Sequence, residues 1–296
     1  FIGDPGQIPP TVAIDVDRWD GSEHPPHQAT PTLILANPAL ASLRTELRLP
    51  TCRRLPYDSV RLVNRFYDFE FDSAAKPGER FVRPTRMVKT DEPSSLAVDR
   101  ALDAMWARKF PSTTAIVQMP TPVGGLPVGT DIELARFTAL AVARLLERRC
   151  ERSTCSEEAR APKPLSPKDI GVVSTHNLMN TAIHHALLAL SPKYSAIRVT
   201  TPERWQGLER PIMVAVHPLS GVMSPSAFDL ETGRLCVMSS RHQSACLFIT
   251  RDHVGATLDD HLPTADQALG CHDAVGKGHA LHREFLDYHR ERNLIV

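Results

Sequence analysis

The chain has 296 residues, of which 42% are hydrophobic, so it can form a large core and global disorder is not expected. Lysine plus arginine number 34 and aspartate plus glutamate also number 34, which gives a formal net charge of zero. This balance argues against a basic tail or a wholly basic face for nucleic acid, although it is compatible with a local basic cleft. No apolar run is long enough to predict a membrane-spanning helix.

The cysteines show no repeated Cys-x-x-Cys spacing and no framework typical of a small disulfide-rich domain. Cys236 and Cys246 lie in apolar runs, which is typical of core residues. We therefore expect free thiols and a cytoplasmic location, where thiols stay reduced. The sequence begins with Phe1 rather than methionine, and we expect it to be a processed or partial form of a longer chain.

Residues 1–84 are irregular and rich in proline, with one predicted helix over 57–67, where apolar residues recur at helical spacing. We predict that this segment is the end of a first domain with its connector. Residues 85–296 show an alternating α/β pattern and are predicted to form a second domain.

Short apolar runs predict strands over 114–118, 170–174, 197–200, 211–216 and 245–250. Helical periodicity predicts helices over 91–109, 131–149, 178–190, 234–242 and 278–292. This alternation predicts a parallel sheet with helices on both faces. The charged segment 150–167 is expected to be an exposed loop, and cluster 148–152 a solvated helix end. Ligands of such sheets collect at the carboxyl ends of strands, where we expect the polar loop 201–209.

Three local patterns are candidates for chemistry. Residues 3–7 (Gly-Asp-Pro-Gly-Gln) follow an apolar pair and indicate a strand that ends in a tight turn, a common junction. In the loop 201–209 a carboxylate can accept hydrogen bonds from a sugar hydroxyl, and a threonine can donate to a phosphate oxygen. An ordinary connecting loop explains the same residues equally well. Arg241 ends an apolar helix and can stabilise a transferring phosphoryl group, although a surface ion pair is the simpler interpretation.

Taken in order, these patterns resemble the motifs of superfamily one DNA/RNA helicases. Residues 3–10 resemble motif III (Gly-Asp-Pro-x-Gln-Leu-x-Pro), and residues 52–56 (Cys-Arg-Arg-Leu-Pro) are similar to the Tyr-Arg-Met-His-Pro segment of that family. Residues 170–176 resemble motif IV, 201–209 resemble motif V with its Gln-Gly-x-Glu core, and 234–241 resemble motif VI. The chain also resembles the C-terminal part of actinobacterial helicase-like ATPases of the AAA family.

The resemblance implies a RecA-like second lobe of the P-loop NTPase type over residues 85–296, preceded by a remnant of the first lobe and its connector over residues 1–84. It implies ATP and Mg as cofactors. The implied partners are single-stranded DNA or RNA and an N-terminal RecA-like lobe of the same protein, with no membrane. The implied activity of the parent protein is ATP-dependent helicase or translocase activity.

The resemblance also implies roles for individual residues. The catalytic group comprises Gln7 as a γ-phosphate sensor, Arg53 as a γ-phosphate contact and Arg241 as the arginine finger. The nucleotide-binding group comprises Asp4, Gln206, Gly207 and Glu209, with Glu209 on the ribose. The group in contact with a single strand comprises Thr201, Ser174, Thr175 and His176.

Several residues depart from the family pattern. Cys52 replaces a tyrosine, Arg54 and Leu55 replace Met-His, Cys236 replaces an asparagine and His176 replaces a tyrosine. Gln243 stands where a second arginine often follows the finger. The sequence contains no Gly-x-x-x-x-Gly-Lys-Ser/Thr loop and no Asp-Glu pair before Gly3, so we expect residues preceding Phe1 to supply the phosphate cradle and the Mg ligand. This piece alone is expected to be inactive.

Two other classes of protein stay open. A degenerate, non-catalytic helicase-like module that binds nucleic acid or a protein is favoured by the altered motif residues and the neutral charge. An unrelated doubly wound enzyme would need a nucleotide loop after its first strand, which the sequence lacks. No metal site is predicted, since Cys271, His272, His279 and His282 are more simply interpreted as residues on and before a solvated last helix. For Trp205, core packing is favoured over base stacking.

Overall fold

The computed structural model describes residues 30–45, 47–107, 112–261 and 274–296, together with Asp4, Ile8, Trp19 and Ser22. In chain order the strands are β1 (Thr51–Cys52), β2 (Asp72–Ser73), β3 (Phe81–Arg83), β4 (Thr114–Met119), β5 (Glu151–Ser153), β6 (Lys163–Pro164), β7 (Ile170–Val173), β8 (Arg198–Thr200), β9 (Arg210–Val216) and β10 (His242–Arg251). The α-helices are α1 (Thr30–Ala36), α2 (Tyr57–Val63), α3 (Pro93–Trp106), α4 (Ile132–Glu147), α5 (Ser156–Arg160), α6 (Asn177–Leu190), α7 (Pro202–Trp205), α8 (Thr232–Ser239), α9 (Val254–Asp260) and α10 (Ala274–Arg290).

A five-stranded sheet in the order β4-β10-β9-β7-β8 forms the centre of the described chain, and all its strand pairs are parallel. All five strands expected from the apolar runs are present. The inner strands are continuous apolar runs because both of their faces are covered, as in β7, where every residue is buried. The predicted α/β class is confirmed, and the arrangement is consistent with a RecA-like fold.

Helices cover both faces of this sheet, as predicted. One hydrophobic cluster joins α3, α4 and α6 to one face, and a second cluster joins α8, α9 and α10 to the other. Successive strand residues alternate between the two clusters, as Val172 and Val173 do. Helix α2 also belongs to the second side, since Leu62 and Phe66 lie in the same cluster as α8. The described segment around α2 therefore packs directly on the sheet assembly.

Helix α2 is shorter than the predicted span. It ends at Val63, and a 3₁₀ turn follows over Asn64–Phe66. The side-chain amide of Asn64 donates to the carbonyl oxygen of Phe71 and accepts from its backbone N–H. Asparagine competes for backbone hydrogen bonds in this way, which explains why helical spacing alone overestimated the helix.

The expectation of an exposed loop over 150–167 is wrong. Strand β5 pairs with β3 on one side and with β6 on the other in an antiparallel sheet, and Arg152 bonds both Glu158 and Asp169. Arg148 is buried as well, with Asp103 as its ion-pair partner, so the expected solvated helix end is also wrong. Charges can be buried where each finds a partner, and those partners are distant in sequence.

None of the helices in the described ranges combines the length and the apolar composition needed to cross a lipid bilayer. The five described cysteines are free, and three of them are buried.

Candidate functional site

Glu209 and Arg241 lie side by side where the parallel strands of the central sheet begin, which we call its amino edge; the opposite end, where the strands finish, is the carboxyl edge. Glu209 immediately precedes β9 and Arg241 immediately precedes β10. The backbone N–H of Arg210 donates to the carbonyl oxygen of Arg241 at 3.0 Å. The parallel register of the two strands therefore brings together two residues that the sequence places in separate motifs.

The Glu209 carboxylate has a different partner on each oxygen. Arg54 Nε donates to Oε2 at 2.5 Å, and Gln243 Nε2 donates to Oε1 at 2.7 Å. Burial acts to raise the pKa of Glu209, but the bonds from Arg54 and Gln243 outweigh it and hold the pKa below its usual value. The side chain is therefore a carboxylate at neutral pH.

An irregularity in β10 aims Gln243 at this carboxylate. The register between β9 and β10 shifts between His242 and Ala245. Such bulges re-aim side chains at functional sites. Here the amide of Gln243 reaches Glu209, while the hydroxyl of Ser244 donates to the carbonyl of Ser153 at 2.7 Å.

Arg241 is buried without hydrogen-bond partners for two of its nitrogens. Its exposure is 1%, and neither Nε nor Nη2 has an acceptor in the structure. Burial lowers the pKa of the guanidinium, and the charge of Arg54 lowers it further, against opposing contributions from Cys236 and Tyr67. A desolvated cation with unused donors is poised to bind an anion, because such an anion would supply both the missing charge and the missing acceptors.

The described residues of the N-terminal segment approach this cluster. Tyr67 Oη donates to Asp4 Oδ2 at 3.0 Å and lies 3.5 Å from the thiol of Cys236. Gln206 Nε2 donates to the carbonyl of Ile8 at 3.3 Å. The segment that resembles motif III therefore contacts the segment that resembles motif V directly, and it is linked to the segment that resembles motif VI through Tyr67. Gln7 lies outside the described residues.

Of the two adjacent arginines, Arg54 is the one bonded to Glu209. Arg53 is exposed, and its carbonyl accepts a bond from Arg80 Nη2 at 2.8 Å. Arg54 bonds Glu209 and also donates to the carbonyl of Ser240 at 3.3 Å. Sequence reasoning named neither Arg54 nor Gln243 as a site residue. The feature of the sequence that could have indicated them is that Arg54 and Gln243 both differ from the residues of the family pattern.

The four residues expected to contact a single strand lie at the opposite, carboxyl edge. Ser174, Thr175 and His176 follow β7, and Thr201 follows β8. Ser174 and Thr201 are buried, whereas His176 is exposed and stacks on Phe228 with ring centroids 5.5 Å apart. Since β7 spans four residues at about 3.3 Å each, the two edges are separated by about 13 Å.

The loop 201–209 does not lie wholly at the carboxyl edge, which corrects the sequence-based expectation. It begins there at Thr201, crosses the sheet face through α7 and ends at the amino edge with Glu209. Gly207 has a φ of +76° in this crossing, a conformation that favours glycine.

Trp205 packs the segment 201–209 against the sheet, which confirms the expectation that this side chain belongs to the core. The indole is fully buried, and its Nε1 donates to the carbonyl of Val172 at 3.1 Å. A Cβ on Gly171 would lie 2.5 Å from Cη2 of the same ring. The absence of a side chain at Gly171 is therefore what admits the indole.

The expectation that the histidines of the last helix are solvated is wrong. His282 is fully buried, with Nδ1 3.2 Å from Nε2 of His217, and His279 Nε2 lies 2.7 Å from the carbonyl oxygen of Leu258. Burial lowers the pKa of His282 to about 3. No three metal-ligating side chains within the described ranges are grouped so that they could hold a metal ion. Cys271 and His272 lie outside those ranges.

No protein-family model matches this chain, and no curated protein matches it. The functional interpretation of the site therefore rests on its residues and their geometry.

Proposed function

We propose that the chain is the C-terminal part of an ATP-dependent helicase or translocase of superfamily one. Residues 1–84 would be the end of the first RecA-like lobe with its connector, and residues 85–296 the second lobe. The observation that supports this most directly is Arg241, a buried guanidinium with unused donors beside the Glu209 carboxylate. A cation and a carboxylate at one sheet edge suit the phosphate and sugar ends of a nucleotide.

In this proposal the amino edge closes on a nucleotide that a first lobe grips. Arg241 stabilises the negative charge on the transferring phosphoryl group, and the exposed Arg53 reaches the same phosphate. Glu209 accepts hydrogen bonds from the ribose hydroxyls, with Gln206 and Gly207 forming the turn beside it. A magnesium ion bound with ATP would neutralise charge on the phosphates, and its ligands would come from the first lobe together with the phosphate loop. The chain by itself is then inactive.

The carboxyl edge is the proposed contact with single-stranded DNA or RNA. His176 is exposed there and stacks on the exposed ring of Phe228, and Thr175 lies in the chain between β7 and α6. Aromatic rings and hydroxyl groups are suited to bases and backbone phosphates respectively. The crossing from Thr201 to Glu209 joins this edge to the nucleotide edge, so a movement of Glu209 on closing is passed to Thr201.

The experiment is the Arg241→Ala substitution in a protein that carries both lobes, with ATP hydrolysis measured with and without single-stranded DNA. Loss of an arginine finger lowers turnover by about 10³-fold or more. Arg290→Ala, which removes an exposed arginine of α10, is the matched control and is expected to leave turnover unchanged. Unchanged turnover in the Arg241 variant, with circular dichroism showing an intact fold, refutes the assignment.

A non-catalytic helicase-like module is the second candidate. It is favoured by the bonds from Arg54 and Gln243, which give each oxygen of Glu209 a partner within the protein itself. This candidate predicts binding of single-stranded nucleic acid or of a protein without any ATP hydrolysis. Measurable hydrolysis that depends on Arg241 eliminates it.

A further inference from the structure

We propose that Arg54 is the positioning residue for Glu209: it supplies the positive charge that holds this carboxylate ready to accept hydroxyl groups of a ribose. The inference rests on the proposed function, because it concerns how the ribose contact of that function is held. It adds a residue that the motifs of the resemblance do not contain.

The first argument is the hydrogen-bond capacity of the carboxylate. A carboxylate offers about four lone-pair directions on its two oxygens. Arg54 uses one on Oε2 and Gln243 uses one on Oε1. The Glu209 side chain is 41% exposed, so the remaining directions are open to a ligand. The two bonds orient the carboxylate without saturating it.

The second argument is charge. Gln243 is neutral, so of the two hydrogen-bond partners of the Glu209 side chain only Arg54 carries a positive charge, and Arg80 acts on this carboxylate more weakly, through its charge alone. Without that charge the partly buried carboxylate would be left with a neutral amide as its partner, and its orientation would be less restricted. Position 243 reaches the other oxygen of the same carboxylate. An arginine at position 243 can therefore replace Arg54 as the charged partner.

The third argument is the rigidity of the support for Arg54. Arg80 donates from its two terminal nitrogens to the carbonyls of Arg53 and Arg54, which fixes the turn between β1 and α2. Helix α2, which follows, is fastened to the start of β10 by a 2.7 Å contact between Ser59 Oγ and His242 Nε2. The arginine therefore reaches Glu209 from a turn that is anchored on both sides.

The test exchanges the charge between positions 54 and 243 in a protein that carries both lobes. Affinities for ATP and for 2′,3′-dideoxy-ATP are measured by titration calorimetry, and their ratio reports the ribose contact. The wild type is expected to favour ATP by about tenfold to a hundredfold, the effect of losing a hydrogen bond to a charged group. Arg54→Met should bring the ratio close to one, and adding Gln243→Arg should restore most of it.

Arg53→Met is the matched control, because it removes the neighbouring arginine. It should weaken both nucleotides equally and leave their ratio unchanged. A second measurement needs no nucleotide: the pKa of Glu209 is followed by carboxyl-carbon NMR in the 296-residue chain. This pKa should rise in Arg54→Met and fall again in the double variant, whereas a purely structural role would give no such recovery.

The outcomes separate the inference from the proposed function. A wild-type protein that binds both nucleotides equally overturns the ribose contact itself. A wild-type preference for ATP that survives Arg54→Met overturns the role of Arg54 and leaves the proposed function standing. Loss of the preference in Arg54→Met without recovery in the double variant overturns the claim that the charge is the property that matters.

Discussion

Two buried arginines lie at the two ends of β10, and replacing each by the same residue should change the free energy of unfolding in opposite directions. Arg241 and Arg251 are each 1% exposed. Arg251 bonds Asp131 through Nε at 2.8 Å and Nη2 at 2.9 Å, whereas Nε and Nη2 of Arg241 have no acceptor in the structure. Replacing each by methionine removes the charge and keeps an unbranched apolar side chain.

The size of each change in the free energy of unfolding follows from the hydrogen-bond partners of the arginine that is replaced. Each buried donor without an acceptor costs about 1–3 kcal/mol, and replacing buried charges by apolar side chains stabilises proteins by about 1–4 kcal/mol. We therefore expect Arg241→Met to raise the free energy of unfolding by about 1–4 kcal/mol. Arg251→Met leaves the buried Asp131 without its cation, which costs about 3–5 kcal/mol.

The assay is urea unfolding of the two variants and the wild type at pH 7.5, followed by circular dichroism with the slopes compared. The midpoint should rise for Arg241→Met and fall for Arg251→Met. A fall of more than about 1 kcal/mol for Arg241→Met would show that Arg241 contributes to folding, and the account of an unpaired cation retained for function would be wrong.

Two further predictions concern packing and pH. Gly171→Ala places a Cβ 2.5 Å from the Trp205 ring and should destabilise the chain by about 1–3 kcal/mol in urea unfolding, whereas Gly221→Ala, which meets nothing within 4 Å, should be neutral. Burial lowers the pKa of His242 and His282 to about 3 and that of His289 to about 4. These histidines fold neutral, so the stability they contribute is complete above pH about 6.5 and is lost as the pH falls toward 4, by up to about 1.4 kcal/mol per pH unit for each. The urea midpoint should therefore drop between pH 7 and pH 5, and His289→Gln should reduce this slope; a midpoint independent of pH would contradict the burial of neutral histidines.

The sheet was predictable because burial on both faces leaves a local trace. Each strand of a covered parallel sheet needs several consecutive apolar residues, and runs such as Ile170–Val173 carry that requirement in the sequence itself. The helix α4 was equally clear, since Asp131 caps it by accepting from the N–H of Leu134. Both signals depend on residues within one element.

The charged segments were not predictable in the same way. Arg152 and Glu158 belong to a stretch whose composition is typical of a loop, yet Arg152 lies in strand β5 of a small sheet and pairs with Glu158 of α5 and with Asp169. Composition reports how polar a segment is, but whether its charges can be buried depends on partners that other segments provide.

The sequence by itself determined the α/β class, the strands of the central sheet and the glutamate and arginine that head the candidate site. Only the tertiary structure decided which residues meet at that site. It placed Glu209 beside Arg241 through the register of β9 and β10, brought Arg54 to Glu209 from 155 residues away, and separated Thr201 from Glu209 by the length of the strands. The physical reason is that apolar periodicity is a local property of the chain, whereas the partner of a charge is set by strand order and register.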